Sequence, residues 1–233
     1  MDPKNLPIER YLDHAVLKPE MTREEALEQM KLGIQYNVRT ICVRPADIPL
    51  AVTLCQGTQT TVSCVLAFPH GDSLSASKAD EARHYVRLGV AEIDMVVNYG
   101  FIRSALWNDL EADIRAVTSI ARPSGVKVKT IFETSALTMA EIERATCAAI
   151  SAEADFVKTS TGFGGGSATE EAVKVMLDTA AGRIEVKPSG GIRDRERAEM
   201  FINMGATRLG VGSTSTPAIC GAVSSSSMAG GAY

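Results

Sequence analysis

The sequence has few of the residues that most often bind metals. Its three histidines, His14, His70 and His84, are scattered and form no HxH or HExxH motif, so a His-bound catalytic metal has little support. The five cysteines are odd in number and include no CxxC pair. This arrangement argues against a disulfide framework and against a zinc knuckle. We therefore expect the protein to work without a metal and without another cofactor.

The sequence also lacks long apolar runs and blocks of basic residues. No apolar run approaches the roughly 20 residues that cross a membrane as a helix, and the 233 residues carry a formal net charge of -4. Neither nucleic acid nor an anionic lipid surface is therefore expected as a partner. The opening segment, "MDPKNLPIER", is charged and contains proline, unlike a signal peptide. We expect a cytoplasmic protein.

A third absence is the GxGxxG motif, which usually follows the first strand of a doubly wound sheet. The chain instead alternates strand-like and helical segments, which is typical of a parallel sheet with crossover helices. Eight segments have the character of strands: "LDHAVL", "TICVRP", "TVSCVLAF", "EIDMVVN", "VKVKTIFET", "ADFVKTS", "IEVKPSG" and "RLGVGS". They predict a single-domain α/β fold, a TIM (β/α)8 barrel over residues 1–223, with a doubly wound sheet as the main alternative. The small polar residues of 224–233 predict a flexible tail.

The predicted helices carry capping signals at both ends. Three glycines stand where a left-handed C-terminal cap is expected: Gly33, Gly89 and Gly205. Three pairs have the spacing of a capping box: Thr22 with Glu25, Thr138 with Glu141, and Ser167 with Glu170. These signals place helices between the predicted strands, as a barrel requires.

Ionisable side chains interrupt several of the predicted strands. Asp94 lies in "EIDMVVN", Lys158 in "DFVKTS" and Lys187 in "IEVKPSGG". Because neighbouring residues of a strand point to opposite faces, these side chains point into the barrel if the apolar residues pack on the helices. Lys129 is expected to join them, with Glu133 on the same face. Barrel enzymes carry out their chemistry at the carboxyl ends of the strands, where these residues lie.

Two buried lysines and an aspartate admit two interpretations. One is a structural ion network in which Asp94 neutralises a lysine and nothing reacts. We favour amine catalysis, because buried charges are costly and these three end separate strands. A lysine attacks a carbonyl only when it is neutral, and burial together with a second ammonium group disfavours its charged form. Lys187 is therefore expected to activate Lys158 as the nucleophile that forms an imine, while Asp94 transfers protons.

Glycine-rich segments follow the last three predicted strands. "STGFGGGSAT" and "PSGGIRD" each open a helix, and "LGVGSTST" ends the last strand. Backbone N–H groups at helix N-termini bind phosphate, and barrels often place a phosphate site after strands 7 and 8. Gly190, Gly191, Gly212 and Ser213 occupy these positions, with Arg193 close by. The simpler alternative is that these glycines only form tight turns.

The chain resembles the deoxyribose-phosphate aldolase family. Eight motifs carry the resemblance: "YLDHAVLKPEMT", "ICVRP", "CVLAFPHG", "EIDMVVNYG", "KTIFETSALT", "DFVKTSTGFGGGSAT", "VKPSGGIRD" and "LGVGSTS". The resemblance implies a class I, metal-free aldolase on a TIM barrel. Such an enzyme reversibly cleaves 2-deoxy-D-ribose 5-phosphate to D-glyceraldehyde 3-phosphate and acetaldehyde, so a small sugar phosphate and aldehydes are the expected partners. Members of the family are often homodimers.

The resemblance also implies roles for individual residues. Lys158 matches the Schiff-base lysine, Lys187 matches the lysine that perturbs it, and Asp94 matches the aspartate that transfers protons. Asp13 matches a supporting aspartate near them. The segments that the family uses around the phosphate contain six candidates: Gly162, Gly190, Gly191, Arg193, Gly212 and Ser213.

Two further residues match features that only some members of the family have. Cys42 lies where some carry a cysteine that aldehyde products modify. Tyr233 resembles a mobile C-terminal tyrosine that reaches the active site, and we predict that its hydroxyl assists proton transfer. Two alternative functions stay open: another Schiff-base aldolase or transaldolase with a different donor, and a sugar-phosphate-binding protein without catalysis. The latter has less support, because a binding protein would be expected to lose a catalytic residue.

Overall fold

The strands of the molecule form one parallel sheet. A computed structural model describes residues 6–221 of the chain, and within this range the sheet has eight strands. They are β1 Leu12–Val16, β2 Thr40–Val43, β3 Thr61–Leu66, β4 Glu92–Val96, β5 Lys127–Ile131, β6 Phe156–Lys158, β7 Glu185–Lys187 and β8 Leu209–Gly212. All eight predicted strands are therefore present, although each is shorter than the segment that predicted it.

Helices connect the strands in succession. The α-helices of the described range are α1 Arg23–Gln35, α2 Ile48–Cys55, α3 Ser75–Arg87, α4 Tyr99–Arg103, α5 Trp107–Ala121, α6 Met139–Ser151, α7 Glu170–Ala180, α8 Arg195–Met204 and α9 Thr216–Cys220. Short 3-10 turns precede β1 and α9 and follow β2, β5 and α5. No helix within residues 6–221 has the length and apolar character needed to cross a membrane.

The strand order brings the two ends of the sheet together. Each strand from β1 to β6 pairs with the next along the chain, and β1 also pairs with β8. A single bridge between Ser189 and Gly210 joins the region after β7 to β8. This sequential, nearly closed order confirms the predicted TIM barrel. It also excludes the doubly wound alternative, in which the strand order reverses at a switch point.

Most of the predicted helix caps are confirmed. Thr22 with Glu25, and Thr138 with Glu141, form complete capping boxes at the starts of α1 and α6. The predicted box at Ser167 is wrong, because α7 begins at Glu170 and Thr169 is its N-cap, accepting a hydrogen bond from the backbone N–H of Ala172 at 3.2 Å.

One of the three predicted C-terminal glycine caps is also wrong. Gly89 follows α3 with a φ of 87°, and Gly205 caps α8 with a φ of 117°. Gly33 lies inside α1, which runs on to Gln35, and the left-handed residue is Asn37 with a φ of 52°. A Cβ atom at Gly33 would lie 3.0 Å from Cδ2 of His14, so this glycine lets the helix approach β1 closely.

The alternating side chains of the strands divide the interior into two regions. Apolar residues such as Ile93, Met95 and Val157 face the helices and belong to the continuous hydrophobic core. The opposite set faces the barrel axis and is strongly polar, as predicted for Asp94 and Lys158. The predicted tail, 224–233, and Tyr233 in it lie outside the described residues.

Candidate active site

Asp94 is the centre of a buried ion cluster inside the barrel. Its Oδ1 accepts a hydrogen bond from Nζ of Lys129 at 2.5 Å. Its Oδ2 accepts hydrogen bonds from Nζ of Lys158 at 2.8 Å and from Nζ of Lys187 at 2.7 Å. The structure therefore brings together Asp94, Lys158 and Lys187, the three residues that the sequence analysis selected. Both of these lysines donate to the same carboxylate oxygen.

A second carboxylate, Asp13, extends this cluster to β1. Its Oδ2 accepts a hydrogen bond from Nζ of Lys187 and lies 3.2 Å from Nζ of Lys129. Its Oδ1 accepts hydrogen bonds from Oγ1 of Thr40 at 2.7 Å and from the guanidinium of Arg208 at 2.8 Å. Asp13 and Asp94 thus hold Lys187 between them as joint acceptors of hydrogen bonds from its Nζ.

The amino ends of the strands supply the deepest part of the cluster. Glu92 lies 2.6 Å from Nζ of Lys129 and accepts two hydrogen bonds from Arg208, at 2.7 and 3.1 Å. The ring of Phe156 packs beneath the cations of Lys129 and Arg208, at 5.9 and 5.1 Å from its centroid. Sequence reasoning did not select Glu92 or Arg208, although Glu92 precedes Asp94 by two residues and therefore shares its face.

The charges of this cluster do not balance when every member is ionised. Among the residues that the structure describes, it contains four cationic and three anionic side chains: Lys129, Lys158, Lys187, Arg208, Asp13, Glu92 and Asp94. Each is nearly or fully buried, and an uncompensated buried charge is costly. Loss of one proton from a lysine would make the cluster neutral.

The pKa shifts differ between Lys129, deep in the cluster, and Lys187, which lines the cavity. Burial alone would raise the pKa of Asp94, but Lys129, Lys158 and Lys187 hold it well below its usual range. Burial also opposes the charge of Lys129, yet Asp13 and Asp94 raise its pKa well above the ordinary lysine value. Lys187 differs, because burial holds its pKa below the ordinary value despite the same two carboxylates. Lys129 is thus a lysine whose ammonium form the neighbouring carboxylates stabilise.

The cluster lies at the floor of a cavity of about 730 Å³ at the carboxyl ends of the strands. Asp13, Lys158 and Lys187 line this cavity. The volume suits a small phosphorylated sugar, since ligand sites of this kind commonly occupy about 300–1,000 Å³. The arrangement places two amines, one shared carboxylate and an open reaction space side by side.

The glycine-rich loops form the wall of the same cavity. All six residues predicted around a phosphate line it: Gly162, Gly190, Gly191, Arg193, Gly212 and Ser213. Gly190 and Gly191 have φ values of 87° and 75°, which a side chain disfavours. A Cβ at Gly191 would also lie 2.8 Å from Cβ of Ser167. Tight turns and a phosphate site are therefore compatible descriptions of these glycines.

Glu133 does not occupy the position that its spacing from Lys129 predicted. β5 ends at Ile131, and Glu133 follows in a left-handed conformation with a φ of 56°. Its Oε2 accepts hydrogen bonds from N–H and Oγ1 of Thr161, at 3.2 and 2.5 Å. Thr161 in turn accepts hydrogen bonds from N–H of Phe163 and Gly164. Glu133 therefore holds the glycine-rich loop after β6, away from the ion cluster.

Cys42 lines the cavity with an exposed fraction of only 2%. Burial and the charge of Asp94 raise the pKa of its thiol, so its unreactive protonated form dominates at neutral pH. Within the part of the chain that the structure describes, no group of three or more His, Cys, Asp or Glu side chains is arranged to hold a metal ion.

The fold and site together define a class of protein, a (β/α)8 barrel with an amine site at the carboxyl ends of its strands. The chain belongs to the DeoC/LacD family of aldolases, whose family model matches residues 10–212.

Relatives and solved structures agree with this assignment. The chain is 41% identical over 205 residues to deoxyribose-phosphate aldolase 1 of Staphylococcus aureus strain MSSA476, covering 88% of this chain and 92% of the relative. It is 40% identical over 201 residues to deoxyribose-phosphate aldolase of Staphylococcus haemolyticus, covering 86% and 90%. The structure of QR15, an aldolase, has a TM-score of 0.86 and 35% identity, covering 93% and 95%.

A more distant neighbour supports the fold alone. It is the tetrameric deoxyribose phosphate aldolase of Aeropyrum pernix, with a TM-score of 0.83 and 23% identity over 94% of this chain and 91% of that one.

Proposed function

We propose that the chain is a class I aldolase that reversibly cleaves 2-deoxy-D-ribose 5-phosphate to D-glyceraldehyde 3-phosphate and acetaldehyde. The names of the two Staphylococcus relatives support this substrate. The single observation that carries the mechanism is that Lys158 and Lys187 share one oxygen of Asp94 at the floor of the cavity. A cluster with four cations and three carboxylates among the described residues favours a neutral amine at this position.

Lys158 is the proposed nucleophile. Its neutral Nζ attacks C1 of the open-chain sugar, and the carbinolamine takes up a proton from the Lys187–Asp94 pair and loses water to give a protonated imine. The C2–C3 bond then breaks, its electron pair moves toward the imine nitrogen as an enamine, and the hydroxyl on C3 gives its proton to the same pair. D-Glyceraldehyde 3-phosphate leaves, and C2 of the enamine takes up a proton from the pair. Water then hydrolyses the protonated imine to acetaldehyde and free Lys158, and the proton released returns to the pair.

Lys187 and Asp94 are the proposed partners in proton transfer. Lys158 and Lys187 both donate to Oδ2 of Asp94, so a proton can pass from one amine to the other through this oxygen. Asp94 stays ionised in the resting cluster, because neighbouring ammonium groups, that of Lys129 first, hold its pKa low. Attack of the neutral Lys158 on the carbonyl puts a positive charge on its nitrogen, and Asp94, 2.8 Å from Nζ, is placed to accept the proton that this nitrogen then loses. Asp13 is the proposed support that keeps Lys187 in place.

The glycine-rich loops are the proposed phosphate site. Backbone N–H groups in turns and at helix N-termini bind anions without needing a side chain, and Arg193 adds a cation at the same wall. Binding energy from the phosphate, which takes no part in the bond change, helps to position C1 beside Lys158. The cytoplasmic location, the homodimer and the role of Tyr233 stay predictions of the sequence.

Cleavage assays with and without the phosphate test this proposal. The enzyme should cleave 2-deoxy-D-ribose 5-phosphate in the presence of excess EDTA, and deoxyribose should be a much poorer substrate. Equal catalytic efficiency for the two sugars would refute the phosphate site. Binding of the sugar phosphate without turnover would favour a non-catalytic binding protein, and activity with a different donor would favour another Schiff-base aldolase.

A further inference from the structure

His14 lies in β1 beside Asp13 but points to the other face of the strand. Its side chain is fully buried outside the ion cluster. Its Nε2 lies 2.8 Å from the backbone oxygen of Gln29 in α1, and its Nδ1 lies 2.8 Å from Oγ1 of Thr216 at the start of α9. The imidazole therefore joins β1 to two helices that are far apart in the sequence.

The partners of the ring determine which nitrogen carries the proton. A backbone carbonyl only accepts hydrogen bonds, so Nε2 of His14 must donate to Gln29. Nδ1 is then the acceptor, and the hydroxyl of Thr216 donates to it. Burial lowers the pKa of His14 to about 4, which keeps this neutral tautomer at physiological pH. The ring thus fixes both the position and the hydrogen-bond direction of Thr216.

Gly33 provides the space for this arrangement. It lies inside α1, where glycine is less favourable than alanine. A Cβ at this position would approach Cδ2 and Cγ of His14 to 3.0 and 3.2 Å. The glycine therefore lets α1 lie directly against the imidazole, and this contact explains a residue that the helix itself disfavours.

Thr216 continues directly from a turn that lines the catalytic cavity. The turn, Ser213–Ser215, follows β8, and Gly212 and all three of its residues line the cavity. Both β1 and α1 contact this turn. Movement of Thr216 would therefore displace the backbone groups at this wall of the cavity.

We propose that the hydrogen bond from Thr216 to His14 positions the Gly212–Ser215 turn for the phosphate of the substrate. The inference rests on the proposed function, because it assigns a support to the phosphate site named there. Thr216 and His14 are positioning residues, and neither lines the cavity. β1 then serves both halves of the site, with Asp13 holding Lys187 on one face and His14 holding the phosphate turn on the other.

Thr216→Val removes the hydroxyl and keeps the shape of the side chain. We expect its KM for 2-deoxy-D-ribose 5-phosphate to rise about three- to tenfold, which corresponds to the net contribution of one hydrogen bond. Its efficiency with deoxyribose should stay at the parent value, because this sugar has no phosphate for the turn to bind. Inorganic phosphate should inhibit the variant less than the parent by a similar factor. Thr216→Ser restores the hydroxyl and should restore the parent KM.

Thr118→Val is the matched control. Its hydroxyl is equally buried and donates to the backbone oxygen of Ala152 at 2.8 Å, between α5 and the end of α6. It should lose comparable stability with no change in KM. Thr216→Ala, which places no methyl group against the imidazole, should reproduce the effect of Thr216→Val.

The two assays separate failure of the inference from failure of the proposed function. A parent enzyme that prefers the phosphorylated sugar, together with an unchanged KM in Thr216→Val and Thr216→Ala, overturns the inference alone. An equal loss with both sugars also overturns it, because the effect would then not depend on phosphate. A parent enzyme without any preference overturns the phosphate site and this inference together.

Discussion

Buried lysines occur in two places in this molecule, and they differ in how their charges are balanced. Lys78, between α3 and α5, is fully buried and lies 2.6 Å from Oδ2 of Asp113, and its Nζ also donates to the backbone oxygen of Val96 at 3.0 Å. Asp113 accepts further hydrogen bonds from Oγ of Ser75 at 2.8 Å and from N–H of Asn98 at 3.1 Å. Here one cation meets one carboxylate, and the charges balance.

In the barrel interior the charges of the buried side chains do not balance. Lys158 and Lys187 compete for one oxygen of Asp94, in a cluster whose described members include one more cation than carboxylates. This cluster also opens onto the cavity, whereas Lys78 does not line it. Burial lowers the pKa of both Lys78 and Lys187, so the direction of the shift does not distinguish the two designs. What distinguishes the barrel cluster from Lys78 is its excess of cations and its access to a substrate.

The largest effect is expected from Lys187→Leu, which removes the excess of cations. Three cations and three carboxylates would remain among the described members, so the charges would balance with every lysine ionised and the cluster would no longer favour a neutral amine. We expect activity to fall by about 10²–10⁴-fold, the range for loss of a proton-transfer group, with partial recovery as the pH rises. The variant should still fold, because the remaining charges balance. An unchanged pH–rate profile would show that Lys187 is only structural.

The next effect concerns stability rather than rate. Lys78→Met leaves Asp113 as an uncompensated buried charge, so we expect a loss of about 3–5 kcal/mol in the free energy of unfolding. The rate per folded molecule should stay at the parent value, and urea unfolding with kinetics on the same sample measures both. Lys78→Met combined with Asp113→Leu should recover part of the stability. A lowered kcat at full folding would show that Lys78 also takes part in the site.

The smallest effect concerns His14, whose ring nitrogens contact a hydroxyl and a carbonyl rather than an ion. Its pKa falls from 6.5 to about 4 on folding, so between these pH values the unfolded chain binds a proton that the folded chain does not. Stability should therefore fall by about 3 kcal/mol as the pH decreases from 6.5 to 4. His14→Gln should have a flatter stability profile in this window. An equal slope in both proteins would contradict the assignment.

The sequence was sufficient for the barrel and for the centre of the site. The alternation of strand-like and helical segments predicted all eight strands. Asp94, Lys158 and Lys187 were recognisable because charged residues interrupt apolar strands near their carboxyl ends. Glu92 and Arg208 were missed, since charged residues at the start of a strand are ordinarily exposed. Only closure of the barrel makes them buried.

The local errors arose where tertiary packing decides the outcome. Gly33 is a residue type typical of helix ends, but it lies inside α1, because the imidazole of His14 needs the space. Ser167 has the spacing of a cap, yet it lines the cavity while Thr169 caps α7. His14 was one of three scattered histidines, and no local pattern links it to Thr216, which follows it by 202 residues.

Borohydride trapping tests the central claim that excess charge and access, rather than burial alone, select the reactive lysine. The enzyme is incubated with 2-deoxy-D-ribose 5-phosphate or acetaldehyde, reduced, digested and mapped by mass spectrometry. We predict one adduct, on the peptide that contains Lys158, with Lys78, Lys129 and Lys187 unmodified. An adduct on Lys187 or Lys129 with Lys158 unmodified would contradict the account, and so would labelling of Lys78 in the folded protein.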